Sequence, residues 1–288
     1  MKSTPPQVQR EKCSPGCGIC VEVCPSFVFE LKEGKAWVAR GEWCIGCGHC
    51  GAVCPQGAIL HEATDYEKEA RSPVTEEDIL LLLRSRRSVR LYEERPISRD
   101  HLEKVIDAGR YAPTGTNSQN VRYILLVSPQ EIERLRSMSI AFYEKVFKRV
   151  RSPLGSLFLR LLAPKRLLEH LKETLPKVEY AKGLLQEGRD PLLYDARAVL
   201  ILHAEAWDTC SPFNCAVALY HCSLMAHTLG VGCCFNWYLV NAINHDRKIK
   251  RWLNIPRGDR CFGAMTMGYP RRRFLRLVKR ASPPVRWR

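Results

Sequence analysis

The chain lacks any long hydrophobic run. None of its 288 residues lies in a segment that approaches the roughly 18 to 20 uninterrupted apolar residues of a membrane span. The first ten residues also lack the apolar stretch of a signal peptide. We therefore expect a cytoplasmic protein, whose thiols are kept reduced. In that compartment its 14 cysteines predict metal binding rather than a disulfide scaffold.

Acidic residues are scarce in most of the chain, which has 45 Lys and Arg against 30 Asp and Glu, a formal net charge of +15. The first 70 residues carry seven basic and nine acidic side chains, a net of −2, so the remainder carries +17. A solvated surface, an acidic protein partner, a phosphate-bearing ligand, nucleic acid or an anionic membrane would suit this charge. Because the basic residues are not interleaved with stacking aromatics and match no nucleic-acid module, we do not expect nucleic acid.

Eight of the cysteines form an internal repeat, each half ending in proline. The first run is Cys13, Cys17, Cys20, Cys24 and Pro25, and the second is Cys44, Cys47, Cys50, Cys54 and Pro55. The second run has the spacing C-x2-C-x2-C-x3-C-P, in which the fourth cysteine ligates the other of two clusters. The first run has one extra residue after Cys13, so the spacing leaves open whether Cys13 is a ligand.

Exchange of the fourth ligands predicts two sets of four thiolates. The sets are Cys13, Cys17, Cys20 and Cys54 for one [4Fe–4S] cluster, and Cys24, Cys44, Cys47 and Cys50 for the other. Zinc is the alternative, but zinc sites usually divide their ligands into two distant pairs. The repeat resembles bacterial two-cluster ferredoxins. The other six cysteines lack this spacing and are expected to be small buried hydrophobic residues.

The remaining patterns predict the domain organisation. We expect a ferredoxin-like domain over 1–62 with a hairpin at Glu33-Gly34-Lys35, a linker over 63–74 and a larger domain over 75–288. Thr75 and Ser98 are predicted helix N-caps. Strands are predicted over 121–127, 198–203 and 261–267, and helices over 213–229 and 241–253, which indicates an α+β chain. The basic stretch 140–175 predicts a helical insertion, either a cap over the core or a membrane-surface helix.

Two motifs point to an anionic cofactor. Arg86-Arg87-Ser88-Val89-Arg90 groups three guanidinium groups that match phosphate oxygens, although a run of charge is usually a solvated surface. One helix later comes the loop Pro113-Thr114-Gly115-Thr116-Asn117, whose small residues permit close approach of a ligand. These motifs, followed by Gly232-Cys233 and Met267-Gly268-Tyr269-Pro270, resemble the FMN-dependent nitroreductase family over residues 75–288. With the cysteine repeat in front, the whole chain resembles a ferredoxin-fused nitroreductase.

The resemblance implies a nitroreductase-like FMN-binding α/β sandwich domain that forms a homodimer. Arg86 and Ser88 would hold the FMN phosphate, and Arg90 would lie near the flavin pyrimidine edge. The full set of implied FMN-binding residues is Arg86, Arg87, Ser88, Arg90, Pro113, Thr114, Gly115, Asn117, Gly232, Cys233, Arg276 and Arg280. The residues from Pro113 to Asn117 would reach FMN from the neighbouring subunit. Arg276 or Arg280 would complete the phosphate site, and no side chain is nominated as an obligatory proton donor.

The function implied is that of an oxidoreductase. Electrons from a low-potential donor would pass through the two clusters to FMN and on to a nitro compound, a quinone or an activated alkene. An acidic ferredoxin or flavodoxin is the expected donor. The alternative is an electron carrier whose C-terminal body only docks redox partners. Phe235, Trp237 and Tyr238 would either line a substrate pocket or pack in the core. Asn120 and Asn214 depart from the family pattern and leave substrate preference open.

Overall fold

The computed structural model describes residues 4–66, 73–153 and 165–288. They form two compact units. The first contains the residues up to Val74 together with Thr114–Gln119, and the second contains Thr75–Pro113 and Asn120–Arg288. Residues 67–72 of the predicted linker and residues 154–164 of the predicted insertion lie outside the described residues.

The first unit is built from short elements. They are β1 (Gln7–Val8), α1 (Ile19–Val23), β2 (Phe29–Lys32), β3 (Lys35–Val38), α2 (His49–Ala52) and β4 (Ile59–Leu60), with a 3-10 turn at Gly41–Trp43. Strands β2 and β3 form the predicted antiparallel hairpin. Strand β1 pairs with β4, also antiparallel. Phe29, Ile59 and Ala36 form the centre of a small core that also includes the buried Cys20 and Cys50.

The second unit contains longer helices and one sheet. Its helices are α3 (Glu76–Ser85), α4 (Arg99–Arg110), α5 (Pro129–Arg151), α6 (Lys165–Gln186), α7 (Ser211–Thr228), α8 (Trp237–His245) and α9 (Arg247–Trp252). Its strands are β5 (Arg122–Leu126), β6 (Ala198–Glu205), β7 (Gly232–Phe235) and β8 (Asp259–Gly268). The four strands form an antiparallel sheet in the order β5-β6-β8-β7. The antiparallel sheet with separate helices confirms the α+β class.

Strand β6 is buried on both faces because helices cover both sides of the sheet. Val199 and Ile201 belong to a core with residues of α5, α8 and α9. Leu200 and Leu202, which alternate with them, belong to a second core with residues of α4 and α7. Successive side chains of a strand point to opposite faces, so the continuous apolar run of β6 serves both cores.

Local sequence signals fix several helix ends. The side chain of Thr75 accepts a hydrogen bond from Asp78 N, and the Asp78 carboxylate bonds back to Thr75, which confirms the predicted capping box. Ser98 caps α4 as predicted. The predicted helix over 241–253 is two helices, because Asp246 adopts an extended conformation and caps α9.

The predicted insertion at 140–175 is helical where the structure describes it. Helix α5 begins at Pro129, after the N-cap Ser128, and so starts well before residue 140. Its residues Leu135, Phe147 and Val150 are buried, and Leu135 belongs to the core shared with α8 and α9. This apolar face therefore lies inside the second unit. Across the described ranges, no helix is long and apolar enough to cross a membrane.

Candidate cluster and cofactor sites

The eight repeated cysteines line two separate cavities in the first unit. One cavity is lined by Cys13, Cys17, Cys20 and Cys54, and the other by Cys24, Cys44, Cys47 and Cys50. The fourth cysteine of each run therefore joins the first three cysteines of the other run, as the spacing predicts. Cys13 lies with its set despite the extra residue that follows it.

The thiol environments agree with this division. Burial raises the pKa of Cys20 to about 11, and nearby Cys13, Cys54 and Cys17 also raise it. Burial likewise raises the pKa of Cys50 to about 11, with contributions from Cys47, Cys44 and Cys24. Ligation requires thiolates, so iron must displace these protons when a cluster is assembled.

The spread of the thiols suits a cluster rather than a single ion. In residues 4–66, 73–153 and 165–288, no three His, Cys, Asp or Glu side chains lie close enough to hold one metal ion. A [4Fe–4S] cluster instead takes one thiolate at each of four irons, so its ligands surround a cavity. Four cysteines around each cavity fit that group.

The backbone repeats together with the cysteines. Val28 N donates to Cys24 Sγ at 3.4 Å, and Ala58 N donates to Cys54 Sγ at 3.2 Å, in both cases from four residues along the chain. Gly18 and Gly48 precede α1 and α2 with positive φ angles of 65° and 71°. The N–H groups of Val28 and Ala58, which point at sulfur, would stabilise the negative charge of a thiolate bound to a cluster.

Residues 61–66 pack on the loop of the second cysteine run, although the sequence predicts a linker from residue 63. A Cβ added at Gly48 would lie 2.8 Å from the carbonyl oxygen of Ala63, and one at Gly51 would lie 2.5 Å from Thr64 Oγ1. The Thr64 hydroxyl donates to the Gly48 carbonyl at 3.0 Å. Only glycine permits this close approach. Periodicity gave no signal here because polar side chains make these contacts.

In the second unit, the arginine motif runs beside β7. Helix α3 ends at its C-cap, Arg86, and the next residues extend along the strand. Val89 N donates to Cys233 O at 3.0 Å, and Ser88 forms a parallel bridge with Cys233. A Cβ on Gly232 would lie 2.7 Å from the side chain of Val89, so the approach requires glycine. The fold thus brings together two motifs that are more than 140 residues apart in the sequence.

A cavity of about 500 Å³ opens at this contact. It is lined by Ser85, Arg86, Arg87, Val89, Glu93, Arg95, His227, Gly230, Val231, Gly232, Cys233, Tyr269, Pro270, Arg272, Arg273 and Phe274. Arg86 Nε and Arg87 Nη2 are buried, and neither has a hydrogen-bond partner in the described part of the chain. Buried cationic donors without acceptors are costly. An anionic group in the cavity would provide the acceptors, so the donor set fits a phosphate.

Other predicted FMN residues lie elsewhere. Ser88 does not line the cavity. The Arg90 guanidinium lies 5.7 Å from the centre of the Tyr194 ring. Arg276 and Arg280 are exposed, whereas the tail arginines that line the cavity are Arg272 and Arg273.

The loop Thr114–Gln119 belongs to the unit that holds the cysteines. Asn117 Nδ2 donates to the carbonyl of Ile45, at 2.9 Å, and Gln119 N donates to Thr114 Oγ1 at 3.0 Å. Thr116 and Asn117 have positive φ angles of 51° and 53°. The backbone is therefore held in a conformation that side chains rarely adopt, and the Asn117 bond fixes it to the cluster loop.

Sequence reasoning missed His227 in the cavity wall. Its Nε2 lies 2.8 Å from the hydroxyl of Ser85. Burial lowers the pKa of His227, and the Arg86 charge lowers it further. The neutral imidazole can form a hydrogen bond with the Ser85 hydroxyl without adding to the positive charge of the cavity. Its place near the end of a helix gave no signal of this contact.

The two departures from the family pattern contact each other. Asn214 Nδ2 donates to Asn120 Oδ1 at 3.1 Å. Asn120 Nδ2 donates in turn to Asp208 Oδ2 at 2.7 Å and to Ser211 Oγ at 3.2 Å. Asn214 is fully buried, so this network anchors the start of β5 to the start of α7.

The aromatic residues at the end of β7 and just after it are exposed rather than packed in the core. Phe235, Trp237 and Tyr238 are 44%, 67% and 52% exposed. The core-packing alternative is therefore wrong for these side chains. By contrast, five of the six remaining cysteines are buried as expected: Cys215, Cys222, Cys233, Cys234 and Cys261. Cys210 is partly exposed at the N-cap of α7.

Comparison with known proteins gives matches to two families. Residues 83–269 match the nitroreductase family, and residues 12–59 match the 4Fe-4S dicluster domain. A protein of Archaeoglobus fulgidus, whose name proposes an NADH dehydrogenase/NAD(P)H nitroreductase, is 36% identical over 66 residues. That match covers 23% of this chain and 36% of the relative, so it spans about a third of the relative's length.

Solved structures resemble the chain over its larger part. A nitroreductase with bound FMN from Bacteroides fragilis is 22% identical with a TM-score of 0.51, over 73% of this chain and 96% of that chain. An FMN-dependent nitroreductase from Clostridium difficile is 15% identical with a TM-score of 0.51, over 74% of this chain and 100% of that chain. At these identities the likeness shows a shared fold.

Proposed function

Because the chain belongs to the nitroreductase family and has a 4Fe-4S dicluster domain ahead of the family match, we propose that it is an FMN-dependent oxidoreductase fed through two [4Fe–4S] clusters. The eight cysteines in two crossed sets hold the clusters. FMN supplies hydride chemistry when bound, and the protein supplies orientation and electrostatics.

The arginine cavity of the second unit is the proposed phosphate site. Arg86 and Arg87 each present a buried nitrogen without an acceptor, and Arg272 and Arg273 add charge to the same wall. Phosphate oxygens accept hydrogen bonds from guanidinium groups in a planar, paired geometry. Gly232 of β7 also lines the cavity. A larger residue at that position would collide with Val89.

The hydrogen bond from Asn117 to Ile45 is the observation that supports the proposed electron path. Ile45 lies between the ligands Cys44 and Cys47 of one cluster set. The family resemblance gives the loop of Asn117 a second role, contact with the flavin of the neighbouring subunit in a homodimer. A loop with both contacts supports transfer of electrons from the clusters of one subunit to FMN at the dimer interface.

The proposed donor is a low-potential acidic protein such as reduced ferredoxin or flavodoxin, attracted by the +17 of the residues after 70. The proposed acceptor is a small electron-poor molecule: a nitro compound, a quinone or an activated alkene. The exposed rings of Phe235, Trp237 and Tyr238 would stack on such planar molecules. NAD(P)H is the second candidate donor, favoured by the name of the Archaeoglobus fulgidus relative.

Anaerobic purification with assays for iron, sulfide and flavin tests the cofactors. We expect about eight irons per chain, four for each cluster, and one FMN. Reduced ferredoxin, dithionite, NADH and NADPH would then be compared as donors to nitro compounds, quinones and activated alkenes. Iron without flavin would favour an electron carrier whose second unit only docks partners. Efficient NAD(P)H turnover that survives loss of the clusters would contradict the proposed path.

A further inference from the structure

His61 lies against the cluster set of Cys24, Cys44, Cys47 and Cys50, where it helps to line the cavity. It is 6% exposed. The Tyr66 hydroxyl accepts a hydrogen bond from His61 N at 2.9 Å and donates one to the Ile59 carbonyl at 2.7 Å. These bonds fix the position of the imidazole relative to the cysteine loop.

The hydrogen bonds also fix the tautomer of His61. Ala63 N donates to His61 Nδ1 at 3.0 Å, so Nδ1 is the acceptor and the proton of the neutral ring lies on Nε2. His61 Nε2 lies 3.6 Å from Cys44 Sγ. This is a suitable length for an N–H···S hydrogen bond because sulfur is larger than oxygen. Gly46 N donates to the same sulfur at 3.4 Å.

The first half of the repeat has no equivalent of this imidazole. His61 lies seven residues after Cys54, and the residue seven after Cys24 is Leu31. Leu31 is 47% exposed and has no polar atom in its side chain. The backbone donors to Cys24 and Cys54 are matched between the halves. The side-chain donor on Cys44 is therefore an asymmetry added to a symmetric pair of sites.

We propose that His61 is a positioning residue that raises the reduction potential of the cluster on Cys24, Cys44, Cys47 and Cys50 above that of the other cluster. The inference rests on the proposed function, which supplies the clusters. Reduction adds one electron to a cluster, and an N–H donor on a ligand sulfur offsets the added negative charge. Electrons therefore settle on the cluster whose loop contains Ile45, the residue bonded by Asn117.

The test is an anaerobic redox titration of the full chain followed by electron paramagnetic resonance. His61→Leu copies the first half of the repeat, and His61→Gln keeps an N–H donor. His49→Gln is a control at an exposed histidine of α2 that lines the same cavity. We expect two potentials in the wild-type protein. His61→Leu should shift the higher one to a more negative value and leave the lower one unchanged. His61→Gln should give a smaller shift, and His49→Gln none.

A second measurement does not depend on the stability of a variant. Wild-type protein labelled with ¹⁵N-histidine should show a hyperfine coupling from a histidine nitrogen to one of the two reduced clusters, and His49→Gln should keep it. Absence of that coupling, or a full cluster content in His61→Leu with unchanged potentials, overturns the role of His61. Wild-type protein with far fewer than about eight irons overturns the proposed function and this inference with it.

Discussion

Removal of the Arg86 and Arg87 guanidinium groups, each of which has a buried nitrogen, should release the flavin. In the double variant Arg86→Ala/Arg87→Ala, the phosphate loses the two donors that have no acceptor within the described residues. Each charge-assisted hydrogen bond is worth about 1.5 to 3 kcal/mol, so the pair costs about 3 to 6 kcal/mol. Since about 1.4 kcal/mol is a tenfold change, the Kd of FMN should rise by roughly 10² to 10⁴.

The assay is flavin content after gel filtration, followed by fluorescence titration with FMN. Arg84→Ala is the matched control, because Arg84 is an exposed cation two residues before Arg86 that does not line the cavity. Ser88→Ala tests whether Ser88 also holds the phosphate, as the family resemblance implies, although Ser88 does not line the cavity. Its Kd should change much less than that of the double variant. An unchanged Kd in the double variant, with the fold intact by circular dichroism, would refute the phosphate assignment.

Three further predictions follow from the same sites. Cys47→Ala should lower iron from about eight to about four per chain while FMN stays bound, and Cys210→Ala, which alters a cysteine outside both sets, should lower neither; full iron in Cys47→Ala would contradict the ligand set. In flavin-free protein the pKa of His227 is lower in the folded chain than in the unfolded chain. As pH falls through 6.5, the unfolded chain therefore binds more protons than the folded chain. The free energy of unfolding should therefore drop on acidification, and His227→Gln should reduce that drop, as followed by urea denaturation; an identical pH profile in the variant would show that His227 is not responsible. Finally, ferredoxin-driven turnover should fall steeply between 0.1 M and 1 M salt, because the Debye length shrinks from about 10 Å to about 3 Å, whereas dithionite-driven turnover should change less; equal salt dependence would exclude electrostatic capture of the donor.

The grouping of the eight cysteines could be predicted from spacing because ligation is a local demand. Exchange of the fourth cysteine between the two runs predicts two sets of four, and each set lines one cavity. The central strand was equally readable, since the continuous apolar residues from Ala198 onward lie in a strand buried on both faces. In each case a short stretch of sequence contains the whole signal.

Contacts between distant residues were not predictable in the same way. The position of Ser88 depends on its pairing with β7, a strand of four residues that carries no alternation. Asn120 and Asn214 each read as an isolated departure from the family, yet they form one hydrogen bond across 94 positions. A single sequence gives no sign that two distant polar side chains are hydrogen-bonded to each other.

The distribution of charge gives the proposed electron path a direction. Reduction adds negative charge, so positive surroundings favour the reduced form of a cofactor. The first 70 residues are slightly negative and the remainder is strongly positive, but salt screens charges beyond about 8 Å. Among the described residues, the arginines that line the cavity are therefore the ones expected to act directly on a flavin bound there: Arg86, Arg87, Arg95, Arg272 and Arg273. The other basic residues act on the approach of a partner protein. Substitution of the cavity arginines should therefore change the reduction potential of the flavin, and substitution of the other basic residues should change the rate at which the donor protein binds.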